Sequence, residues 1–108
     1  MLEDLNAEHR LLLLKFLCAF AWTDLRVTDN ERAFIERLMN KFSLNHEDRE
    51  QVNEWLLVAP APSTVQASAV PPEHRRDFIE AIRALIYADG SVDSEERELF
   101  EKLRHSLS

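Results

Sequence analysis

Residues 84–96 read Ala-Leu-Ile-Tyr-Ala-Asp-Gly-Ser-Val-Asp-Ser-Glu-Glu: the end of one helix, a tight turn and the capped start of another. Gly takes the left-handed conformation past a helix end without strain, and Asp93 with Glu96 is an acidic relative of the capping box. A weaker copy lies 65 residues earlier, at 19–31. Over positions 19–38 and 84–103 the two stretches share seven identities: Ala, Asp, Val, Glu, Arg, Glu and Leu. A helix–turn–helix unit present twice constrains the chain to be helical and gives it two similar apolar faces to bury. The two pairs are expected to pack with approximate two-fold symmetry.

The remaining helices follow from periodicity and stop signals. Residues 3–24 read as a first helix, apolar on nearly every face from Leu11 to Trp22, and such a helix belongs at the centre of a fold. Thr28 and Glu31 form a capping box for a second helix reaching about residue 42. Asn45 caps a third over 46–58, with Glu47 and Asp48 favourably placed in its first turn. Pro60 and Pro62 stop it. Residues 63–70 allow a short helix before Pro71 and Pro72, and 73–88 form the next, with Phe78, Ile82, Leu85 and Ile86 inward. Leu99, Phe100, Leu103 and Leu107 mark the last. A single glycine and sparse β-branched residues argue against a sheet. The expectation is an all-α, single-domain helical bundle over 1–108, with five to six helices and an internal pseudo-two-fold helix–turn–helix repeat. Leu13, Leu17, Phe20, Phe34, Leu38, Phe78, Ile82, Leu85, Phe100 and Leu103 should form one core.

Charge narrows the partners. The net charge is −7, which removes the basic footprint that nucleic acid requires and disfavours anionic membrane surfaces. Cations or basic protein surfaces are the electrostatically suited partners. The one cysteine, Cys18, excludes a disulfide within the chain and falls in an apolar run, where it reads as inert core. The run of four leucines at 11–14 is too short and too charged at its flank for a signal peptide or a membrane span, so a cytoplasmic location is expected, without direct membrane insertion.

With Ala-Asp-Gly-x-Val-x-x-x-Glu at 88–96 and its degenerate copy at 23–31, the chain resembles the TerB-like (tellurite-resistance protein B-like) family. Those domains are all-helical and bacterial, and occur alone, in tellurite and stress-response operons, and in membrane-anchored DnaJ-type co-chaperones. The resemblance implies the fold, implies no enzymatic reaction, and implies metal binding by acidic motif residues. Carried onto this chain, these are Asp24, Glu31, Asp89 and Glu96. The first copy departs from the pattern, with Leu25 where Gly is expected and Thr23 where the small Ala is.

Each acidic residue also has a purely structural reading. Capping explains Glu31 and Glu96, and Asp93 serves as an N-cap. Asp24 and Asp89 stand near helix C-termini, where the dipole disfavours a carboxylate; bonds to the amides of the following turn would account for them, as would a cation or a basic partner. Residues 85–96 fall short of an EF-hand, because Leu85 and Tyr87 occupy its first and third ligand positions. His9, His46, His74 and His105 show no metal spacing. Trp22 and Trp55 read as packing, and Arg75, Arg76 and Arg83 as a solvated helix face. No Ser/His/Asp set, phosphate loop or redox motif is present, so no enzyme is expected. Two functions remain: an acidic module that binds another protein in a stress-related system, or a divalent-cation protein that binds calcium or magnesium through the paired motifs. Oligomeric state is not encoded legibly.

Overall fold

The computed structural model describes residues 5–22, 27–61, 65, 67–87 and 94–107, the side chains of 67, 94–96 and 107 excepted. Five α-helices run in order: α1 Ala7–Ala21, α2 Asp29–Phe42, α3 His46–Leu57, α4 Arg75–Ile86 and α5 Ser94–Leu107. Two 3-10 turns, Ala67–Ala69 and Pro72–His74, lie between α3 and α4, and there is no strand among the described residues. The domain is all-α.

Local chemistry sets the helix ends. Asn6 caps α1 by accepting from the His9 amide at 2.8 Å, so this helix starts at Ala7 and not at residue 3. It closes at Ala21, with the Trp22 amide donating to the Cys18 carbonyl, and not at residue 24. The capping box of α2 is formed: the Glu31 amide donates to Thr28 Oγ1 at 3.1 Å, and the Thr28 amide to Glu31 Oε1 at 2.9 Å. Asn45 caps α3 as expected, accepting from the Asp48 amide at 2.8 Å. α3 ends at Leu57 because Val58 is already extended, ahead of Pro60. Of the stretch 63–70, where a short helix is expected, residues 63, 64 and 66 lie outside the described residues and Ala67–Ala69 form a 3-10 turn. Pro72 opens the turn Pro72–His74, and α4 proper starts at Arg75, two residues later than read from the sequence. The expected turns at Leu25 and Gly90 lie outside the described residues.

At the end of α2, Ser43 adopts a left-handed conformation, φ 54° and ψ 49°, the region that favours glycine. Two arginines hold this corner. Arg49 donates to the Leu44 carbonyl at 3.2 Å and to Asn40 Oδ1 at 3.1 Å, and Arg10 lies 5.3 Å above the Phe42 ring. Cations are favoured where carbonyls are left over at a helix C-terminus.

α1 is the central helix. It packs on α2, α3 and α4, and α4 packs in turn on α2 and α5. Leu13, Leu14, Leu17 and Cys18 of α1 are wholly buried, and Phe16 meets Phe78 of α4 edge to face, with ring centroids 5.8 Å apart. Such a pair contributes about 0.5–1.5 kcal/mol beyond its buried area. Of the ten expected core residues eight are buried in one cluster, while Phe34 and Leu103 are partly buried against it. The two helix pairs, α1 with α2 and α4 with α5, are both formed, but their surroundings differ. α2 packs on α4, whereas the second main neighbour of α5 is the 3-10 turn Ala67–Ala69. These contacts do not establish the two-fold relation expected from the repeat.

Candidate functional site

Because α1 is apolar on every side, any side left uncovered by α2, α3 and α4 must be closed by something else. Pro60 and Val65 from the chain after α3, and Leu99 and Leu103 from α5, come up to α1 on this side. The closure is incomplete. A groove of about 560 Å³ remains between Phe16, Ala19, Phe20 and Trp22 on α1, Pro60 and Val65 on the connection, and Leu99 and Leu103 on α5. Among the described residues its lining is apolar except for Lys102 and Ser106 of α5. The volume lies within the roughly 300–1,000 Å³ of ligand-binding clefts, whose walls share this composition.

The surroundings keep the groove in place. The Trp22 indole N–H donates to the Trp55 carbonyl at 2.8 Å, which ties the end of α1 to α3, and Lys15 lies 5.6 Å above the Trp55 ring. Apolar side chains stand in solvent around it. Leu99 is 41% exposed, and Leu57 and Val58, which lead directly into the groove wall at 59–61, are 73% and 67% exposed. Lys102 pairs with Glu98 at 3.8 Å, in full view of solvent, a bond of little strength. The arrangement offers apolar contact over a broad area and one cation at the rim.

Of the acidic residues singled out by sequence, Glu31 is buried at 2% exposure and its carboxylate is engaged in the α2 cap. Asp24 and Asp89 lie outside the described residues, as does the side chain of Glu96, so the structure does not place these four as one site. Among the described residues no three His, Cys, Asp or Glu side chains are grouped to hold a metal ion. Cys18 is inert as expected: burial pushes its thiol up to about 12, against a small opposing pull from Arg32.

Sequence reasoning missed two features. The groove is one, because Phe16, Ala19, Leu99 and Leu103 each read as ordinary core. Its trace in the sequence was Pro60, past the end of α3, which stands in the groove wall. The other is a contact between His9 and His74, whose rings meet edge to face at 5.4 Å, with Asp77 Oδ2 3.9 Å from His74 Nδ1. These histidines stand 65 residues apart, the offset at which the motif recurs. Spacing within one helix could not reveal a contact between residues so far apart in the sequence.

No helix among the described residues is long and apolar enough to cross a membrane. No protein-family model, curated protein or solved structure matches the chain.

Proposed function

We propose that this chain is a small helical protein-interaction module that receives an apolar segment of another protein in the groove between α1 and α5, in the bacterial cytoplasm. One observation carries the reading: the groove beside α1 is lined by apolar side chains, among them the exposed Leu99. Exposed apolar surface of this kind is costly to keep and marks interaction sites. A groove flanked by helices suits the apolar face of a partner helix, with an acidic residue of the partner meeting Lys102. The TerB-like resemblance of residues 88–96 supports the same class of role, in a stress or tellurite-resistance setting, and no catalytic set argues for chemistry.

The test is a photo-crosslinking amino acid placed at Leu99, and separately at exposed Glu36 on α2, in cells producing the protein. A discrete adduct from Leu99 alone supports the reading, provided the captured protein, once purified, binds wild type and not an Ala19→Leu variant that still folds. Equal adducts from both positions, or none from Leu99, would overturn it.

A further inference from the structure

We propose a second binding surface, on the outer face of α4, that takes a short acidic peptide segment in which an aliphatic residue is flanked by carboxylates. Four arginines converge there: Arg75, Arg76 and Arg83 from α4 and Arg104 from α5, around an open groove of about 490 Å³. Glu73 and Glu80 are the carboxylates in its lining, so the cations outnumber them two to one in a chain whose net charge is −7.

Internal pairing does not account for this cluster. Arg76 meets Glu80 at 3.4 Å and Arg104 pairs with Glu101, both near solvent. Arg83 lies 5.9 Å above the Phe100 ring and Arg75 is half-buried; neither has a carboxylate partner among the described residues. The Nε of Arg75 is buried with no acceptor. Helix stability does not explain the placement either. Arg75 and Arg76 occupy the first turn of α4, where the helix dipole disfavours cations, and His74 supplies no side-chain cap.

The chemistry of the occupant follows from the lining. Planar guanidinium groups hold carboxylates through paired hydrogen bonds, and Ile79 gives an apolar floor between the arginines. A long polyanion would extend past the patch into the field of the net negative chain. A segment with a few carboxylates stays within the roughly 8 Å over which the local charge dominates.

The probe is a fluorescein-labelled Glu-Glu-Leu-Glu-Glu peptide, followed by anisotropy at low and at physiological ionic strength. Saturable binding is expected, weakened by salt and weakened about tenfold or more in the Arg75→Gln, Arg83→Gln double variant, as loss of charged hydrogen bonds requires. The double Lys variant should recover only part of it, since an ammonium cannot form the fork. Melting temperatures should be unchanged, and Ala19→Leu should not affect this binding, which separates the surface from the groove beside α1. No saturable binding at low salt, equal affinity in the Gln double variant, or tighter binding of an oligonucleotide of equal charge would overturn the proposal.

Discussion

α1 and α4 lie against each other at the centre of the domain, yet they meet solvent in opposite ways. From His9 to Ala21 no residue of α1 is exposed, whereas α4 exposes Arg76, Glu80, Arg83 and Ala84 along its outer side. Both helices contribute fully buried side chains to one core, so the difference is not in what they hold together. It is in what remains reachable. Past its first turn α1 offers a partner chiefly the apolar groove, whereas α4 offers chiefly charged side chains. One small helical domain thereby carries an apolar surface and a basic one on either side of α5.

The largest test of this contrast is thermodynamic. Leu17→Ala should cost about 2–5 kcal/mol in urea denaturation, because the residue is wholly buried on a helix with no outer face. Arg83→Ala, on the outer side of α4, should fall within about 0.5 kcal/mol of wild type. Similar costs for the two would break the distinction. Next in size is the capping box of α2, which α4 lacks. Thr28→Ala should lose about 1 kcal/mol by the same measurement, since the Glu31 amide then has no acceptor at 3.1 Å. A smaller effect of opposite sign is expected at the corner after α2. Ser43→Gly removes the Cβ penalty at φ 54°, partly offset by a freer unfolded chain, and should raise stability by roughly 0.5–1 kcal/mol. The last follows from the burial of Cys18. Its thiol, raised from 9.0 to about 12, stays protonated in the fold at pH values where the unfolded chain would release the proton. The stability it contributes is complete below about pH 9 and declines as pH rises toward 12. At pH 8 Ellman's reagent should react with Cys18 only as fast as the domain unfolds; rapid reaction with the native protein would contradict the closed surface of α1.

Most of the fold was legible because it rests on local signals. Thr28, Glu31 and Asn45 are caps that act within one turn, and the stripes of Phe34 to Phe42 and of Phe78 to Ile86 follow helical spacing. Asn6 was passed over because the acidic residues before it suit a helix start equally well. Within the stretch 63–70 the described residues Ala67–Ala69 form a 3-10 turn, with Val70 after it buried in the core. The candidate sites were far less legible. Ala19 and Leu99 come to line one groove only through the packing of separate elements, which no local pattern encodes. Arg104 joins Arg75 and Arg83 across two helices, which no spacing within α4 reveals. Glu31 is the member of the acidic set whose capping role was read from the sequence and is formed: its Oε1 accepts from the Thr28 amide.

The account stands or falls on whether the groove beside α1 is a binding surface or a packing gap. Ala19→Leu decides between these, since Ala19 is half-buried and lines the groove. Added apolar volume should fill a mere gap with stability kept or raised and function untouched. The decisive measurement is the yield of the adduct from the crosslinker at Leu99 in the Ala19→Leu background, alongside its melting temperature. The account predicts an adduct lost while the melting temperature holds or rises; an adduct at wild-type yield on the filled groove would contradict it.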